Sequence, residues 1–391
     1  MATESESILT QINESIFFKE FTFNQTHFPT EDGDVELADN FILLDDIVFV
    51  TQTKERSKER PDTPTNVDRW FKDRVLNKAK KQIKESLMYL EKYPEVSIKN
   101  SRGHIIMIPK IDRSQIKSII IYLPNSENLA LKHRRQKFYQ SQDVGNIHLL
   151  HLEDYLNICK ILVTPAEVNA YLTFRELMMD RHILELNNFS EQYLLSHFLY
   201  NPDDLKIDER YIELLSRFKN EEDVFDVSDI LAKFIDRIYV EENKVPERYY
   251  PIIQEIAKLS RHELTEFKIR FKWMVDCINE GKTFAPLPKR FGTPRTNCGF
   301  VFLPFNETDR ASWEPLLMYN TTLFKYKHKY KKCVGVTCYK TNQYFDIQWC
   351  YISQLHEHDD FLENAIKEES DQYGKGENVA RHYEFDGDGS I

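Results

Sequence analysis

Asp39, Gln52 and Lys54 lie in one stretch, VELADNFILLDDIVFVTQTKER (35–56), whose middle is almost wholly apolar. If Leu44 and Ile47 close a tight turn around Asp45 and Asp46, antiparallel pairing sets Asp39 directly opposite Gln52. Opposed residues share a sheet face with Cβ atoms roughly 5 Å apart, and Lys54, two residues on, shares that face. A carboxylate and an amide oxygen at that separation suit one hard cation such as Mg²⁺ or Mn²⁺. A neighbouring ammonium can orient an attacking water or stabilise charge growing on a phosphate. That is the chemistry of phosphodiester hydrolysis. The same residues would equally suit a solvated strand end carrying a surface lysine.

The elements that must hold these residues can be read from periodicity. Ile8, Leu9, Ile12, Ile16 and Phe17 predict a helix over 8–20, and a polar link leads to the hairpin. After the charged, proline-containing loop SKERPDTPTN, Asn66 is the expected cap of a long helix ending before Pro94, with Trp70, Val75, Ala79, Ile83 and Leu87 facing a core. The runs HIIMIPKI, KSIIIYLP and GNIHLLHL read as strands, so 1–165 is expected to be an α/β unit. Helical periods predict an all-helical domain over 166–285. Period-two patterns predict a small β-rich α+β domain over 286–365, followed by a polar tail, 366–391. Within the β-rich part, KYKHKYKK (325–332) is expected to be a strand with its lysines on one face as edge protection. His356-Glu-His358 reads as a polar turn rather than a metal site.

The net charge of −11 argues against a protein that coats polyanions, leaving binding to local patches. One patch is the helix carrying Arg69, Lys72, Arg74, Lys78, Lys80, Lys81 and Lys84. Another is the run Lys132, His133, Arg134, Arg135 and Lys137. Apolar runs are far shorter than the roughly 20 residues of a membrane span, the acidic N-terminus is unlike a signal peptide, and six scattered cysteines suit reduced thiols. A cytoplasmic location is expected. No phosphate-cradling glycine loop or acyl-transfer nucleophile motif is evident.

Glu36-Leu-Ala-Asp39, the apolar hairpin and Gln52-Thr-Lys54-Glu-Arg, followed by a basic amphipathic helix, resemble the PD-(D/E)XK nuclease superfamily in its variant with Gln for the second acid. The resemblance covers about residues 8–125. It implies a restriction-endonuclease-like N-terminal domain, a mixed sheet flanked by helices, and Mg²⁺- or Mn²⁺-dependent cleavage of nucleic acid, with DNA as the expected substrate. Asp39 and Gln52 would be metal ligands, Lys54 the catalytic lysine, and Glu20, or less aptly Glu14, the acid from the first helix. Glu36 would be an outer ligand or hold the lysine. Gln82 resembles a supporting glutamine, although no tyrosine follows four residues on. Arg69, Lys72, Lys80, Lys81 and Lys84 would contact the phosphate backbone. Defence against phage or foreign DNA, a homodimer or a regulatory protein partner, and no membrane, complete the expectation. Gln52 departs from the family pattern and weakens the expected metal affinity. The rival reading is a non-cleaving member that uses the fold to bind nucleic acid or protein.

Overall fold

The computed structural model describes residues 3–25, 27–30, 33–93, 96–204, 206–215, 249–281, 287–305, 312–340, 345–355 and 358–369. The chain divides near residue 220 into two compact units. Among the described residues no helix is long and apolar enough to cross a membrane.

The first unit is built on a six-stranded mixed sheet in the order β1-β4-β5-β8-β10-β9, with β1 at Thr22–Asn24, β4 at Asn40–Leu44, β5 at Ile47–Glu55, β8 at Ile116–Leu123, β9 at Phe138–Ser141 and β10 at Gly145–His151. β1, β4 and β5 run antiparallel, β5, β8 and β10 run parallel, and β9 closes the far edge antiparallel. The β4–β5 turn has the expected two residues, and Asp45 takes the left-handed conformation (φ 55°) that such tight hairpins require. β5 is buried from Ile47 to Thr53 because helices cover both faces.

Helix α1 (Glu4–Ile16) lies on one face, where Phe17, just beyond its end, meets Phe49 edge to face at 5.4 Å. The helix begins and ends earlier than periodicity predicts. Thr3 and Glu6 form a capping box, and Phe18 at φ 63° turns the chain away, so Glu20 lies outside the helix. On the other face α2 (Pro64–Trp70), a π-helical stretch (Phe71–Lys78) and α3 (Ala79–Lys92) follow without a break. The cap is Thr63 rather than Asn66, because Pro64 is favoured at the first helical position and Thr63 Oγ1 accepts the Asn66 N–H. Val75, Ala79, Ile83 and Leu87 are buried against Val48, Val50 and Ile120 as their spacing predicts. Of the expected strands, HIIMIPKI pairs not with the main sheet but in a separate hairpin, β6 (Ser97–Lys99) with β7 (Ile105–Met107).

The expected independent helical domain is divided between the units. Helices Pro165–Leu186 and Glu191–Tyr200 belong to the first: Arg175 Nε reaches Glu191 at 2.7 Å between them, and Lys137 reaching Glu191 at 3.2 Å and the buried His148 imidazole, 3.0 Å from Glu176, tie them to the sheet. Charges so deeply buried need partners, and these partners come from β10, the segment before β9 and both helices. In the second unit, helix Arg261–Asn279 sets Phe267 against Phe300 and Phe302 of a four-stranded sheet in the order β11-β12-β13-β14 (Lys289–Thr293, Cys298–Pro304, Lys332–Lys340, Phe345–Ile352). KYKHKYKK is not a strand. Its first four residues end helix Trp313–His328, Lys329 is a left-handed cap, and only Lys332 enters β13. The helical spacing of Leu317, Thr321 and Phe324 upstream prevails over the local alternation, and Lys325 is buried with Nζ on the Gln354 carbonyl. His356 and residues 370–391 of the tail lie outside the described residues.

Removing the Phe49 ring should therefore loosen the α1 face. Phe49→Ala is expected to lower unfolding stability by about 3–5 kcal/mol, measured by denaturant unfolding, with accelerated amide exchange in α1.

Candidate active site at the open end of the β4–β5 hairpin

The ladder pairs Leu44 with Ile47 and ends at Asn40 with Thr51, so the same register continues to Asp39 and Gln52. There the pairing changes from backbone to side chain: the Thr53 N–H donates to Asp39 Oδ2 at 2.6 Å. This contact clamps the carboxylate across the strand from Gln52. Lys54, two residues on, donates to Asp39 Oδ2 at 3.3 Å, to Gln52 Oε1 at 3.3 Å and to the Thr53 carbonyl at 2.7 Å. One ammonium thus touches a carboxylate, an amide oxygen and a peptide oxygen. Gln52 is 2% exposed, whereas the Asp39 and Lys54 side chains are each 12% exposed, so the cluster is largely but not wholly buried.

Burial draws the Lys54 ammonium below the ordinary lysine range, against the raising pull of Asp39, and the charge of Lys78 lowers it further. Its folded pKa therefore lies under the unfolded value of 10.5. The unfolded chain binds the proton more tightly, so this group withholds stability at neutral pH and restores it as pH climbs through that interval. Glu36, at the rim on β3 (Gly33–Glu36), is largely solvent-exposed, yet partial burial and then the negative charge of Asp39 hold its carboxyl above the usual range. His27, on the paired strand β2 (His27–Thr30), works in the opposite direction on Glu36.

The acid from the start of the chain is not Glu20. Phe21 O accepts the Leu43 N–H and Thr22 pairs with Ile42, so Glu20 lies level with Leu44 at the turn end of the hairpin. Five residues along a strand put it about 17 Å from Asp39. Its side chain is 0% exposed and bound to Arg102 Nε at 2.7 Å, a structural ion pair. Glu14 lies closer in the network, holding Asn24 beside the Asp39 end of β4 at 3.2 Å. Glu6, which sequence reasoning passed over, acts electrostatically on both Glu36 and Lys54. The signal that would have found it is the Thr3-x-x-Glu6 capping box, which starts the helix early and brings Glu6 to the site. Asn13 and Asn40 were also missed. Asn13 Nδ2 donates to Asn40 Oδ1 at 2.7 Å, Tyr155 Oη donates to Asn13 Oδ1 at 2.6 Å, and Asn40 donates to Asn24, so a buried amide chain braces the residue next to Asp39.

The basic helix is only partly where its sequence places it. Lys80 sits over the Tyr139 ring on β9 (5.6 Å) and Lys84 pairs with Asp143 at 3.0 Å. Both residues tie the helix to the far edge of the sheet, four strand spacings or about 19 Å from β4. Lys72 pairs with Asp68 and Lys81 with Glu85. Arg69, Arg74 and Lys78 are exposed, and the charge of Lys78 acts on Lys54. Gln82 Oε1 is buried without a hydrogen-bond partner.

Among the described residues no three His, Cys, Asp or Glu side chains form a metal cluster. The reason is local: Gln52 stands where a second carboxylate would be, and Glu20 is at the other end of the strand. The oxygens that do converge, from Asp39, Gln52 and the Thr53 carbonyl, are hard donors already gathered around one positive charge, which is the donor chemistry a magnesium-type cation takes. In comparisons with family models, curated proteins and solved structures, no match was found.

Because Asp39 raises the Lys54 pKa, Asp39→Asn is expected to lower it further. The lysine Cε resonance followed against pH by NMR checks this, and an unchanged or higher midpoint in the variant would contradict the electrostatic account.

Proposed function

We propose that this chain is a metal-dependent nuclease of restriction-endonuclease-like architecture that hydrolyses DNA phosphodiester bonds. The observation that carries the reading is the convergence of Asp39 Oδ2, Gln52 Oε1 and the Thr53 carbonyl on the Lys54 ammonium at the open end of a sheet. Supporting it is the order of elements: α1, then antiparallel β1, β4 and β5, then the α2–α3 helix, then β8 parallel to β5.

Asp39, Gln52 and the Thr53 carbonyl would hold Mg²⁺ or Mn²⁺, with Glu36 and Glu6 adding negative charge around them. Bound, the ion would supply Lewis-acid polarisation of a phosphoryl oxygen. Lys54 donates toward the charge that grows on the phosphate in the transition state, in a half-buried setting where such a bond is worth more than in water. Glu36, whose carboxyl is less acidic than usual, is the group suited to take up a proton from the attacking water. A role against phage or foreign DNA, and a second copy or regulatory partner, belong to the same reading.

Neutral Gln52 and the absence of a three-acid cluster among the described residues favour a second reading, a nucleic-acid-binding or interaction module that does not cut. Cleavage assays separate the two. Wild type with Mg²⁺ or Mn²⁺ is expected to cut DNA, and Asp39→Ala and Lys54→Ala are each expected to fall by about a hundredfold or more. Glu20→Gln should lose stability but retain its cleavage rate per folded molecule. Equal activity in wild type, Asp39→Ala and Lys54→Ala would reject the mechanism. Thermal unfolding should rise with added Mg²⁺ through ligand linkage, more so in Gln52→Glu and not at all in Asp39→Ala.

A further inference from the structure

The run after β8 was notable in the sequence for its charge, and the fold brings it beside the candidate site. Tyr122 is the residue on β8 paired with Lys54, and its hydroxyl donates to the His133 carbonyl at 3.2 Å. Residues Leu131–Arg135 form the short helix α4. His133 stacks on Phe71 with ring centroids 4.4 Å apart, and its Nε2 lies 2.7 Å from Asp68. Asp68 also takes Lys72 Nζ at 2.7 Å, and these two partners, Lys72 first, hold its carboxyl down to about 2. Arg134 closes on Asp154 with both terminal nitrogens. Two of the four basic side chains of α4 are thereby used to fix the helix against α2 and the start of the helix after β10, and their acidic partners are neutralised.

The other two, Lys132 and Arg135, are exposed. Together with exposed Arg69 on α2 they present unneutralised cations next to the strand that pairs with Lys54, and Arg74 and Lys78 continue the charge down the helix. The rings packed at this place, Phe71, Tyr122 and His133, are all buried and offer no stacking face for bases. Single-strand binding depends on such stacking, whereas a duplex backbone is bound by charge alone.

We propose that α4, through Lys132 and Arg135, is a second phosphate-contacting arm that holds the backbone of double-stranded DNA across the Asp39–Lys54 site, in place of the Lys80–Lys84 end of the basic helix. The inference rests on the nuclease reading above and assigns its substrate as duplex. Each cation removed should take away one phosphate contact, and the slope of log affinity against log salt falls by about 0.9 per contact on duplex DNA.

The test uses the full chain with divalent ions chelated, so that binding is read without cleavage, and a labelled duplex followed by fluorescence anisotropy over a salt series. Lys132→Gln/Arg135→Gln is expected to bind more weakly at each salt concentration, with a slope shallower by about 2. Its thermal unfolding should be unchanged because both side chains are exposed. Lys80→Gln/Lys84→Gln is expected to keep the wild-type slope. If wild type binds duplex and the α4 variant matches it in affinity and slope, the inference is overturned while the nuclease reading stands. If wild type prefers the single strand, the duplex assignment falls. If wild type binds no nucleic acid in this assay, the inference falls, and the nuclease reading is judged by the metal-dependent cleavage assay alone.

Discussion

A single backbone-to-carboxylate contact, the Thr53 N–H on Asp39 Oδ2, holds the polar end of the β4–β5 hairpin together. The β4–β5 ladder ends one residue short of Asp39 on one strand and of Gln52 on the other, and at that point a side chain replaces the main chain as acceptor. A one-residue slip would turn Asp39, Gln52 and Lys54 from the face covered by α2 and α3 to the face covered by α1. The two-residue turn at Asp45 fixes the register against that slip. The turn sets which face the polar end takes, and the Thr53–Asp39 contact fixes the carboxylate on it.

Around that clamp the electrostatics are unbalanced in a way that suits a further cation or anion. Lys54 is desolvated more than Asp39 compensates, and Glu36 is held above its usual range by burial and by Asp39. Elsewhere in the same unit buried charge is satisfied: Glu191 is shared by Arg175 and Lys137, and Glu20 is held by Arg102. Those pairs are buried within the fold, whereas the Asp39–Lys54 cluster lies at a partly exposed end of the sheet.

The basic residues divide along the same line. Where the helix crosses toward β9 its lysines are consumed by Tyr139 and Asp143, and where it begins, near Tyr122, the fold adds a second basic segment from a distant part of the chain. Proximity to the site, not the density of positive charge along the helix, distinguishes the two ends.

The sequence by itself determined the hairpin. Two apolar runs around Asp45 and Asp46 fix turn length and register, and register with period two fixes which side chains share a face, so the grouping of Asp39, Gln52 and Lys54 was legible because every contact involved is local. The buried face of the long helix and the strands β8 and β10 were legible for the same reason. What only the tertiary structure decided are the groups placed by distant contacts: Glu20 at the turn end of the hairpin, the Asn13–Asn40 brace, and α4 beside Tyr122. The division of the central helices between two units and the helical state of residues 325–328 belong to the same class. These depend on where capping ends a helix, on which buried charges find each other, and on which strands become neighbours. Residues distant in sequence settle such questions by packing, and no local period records them.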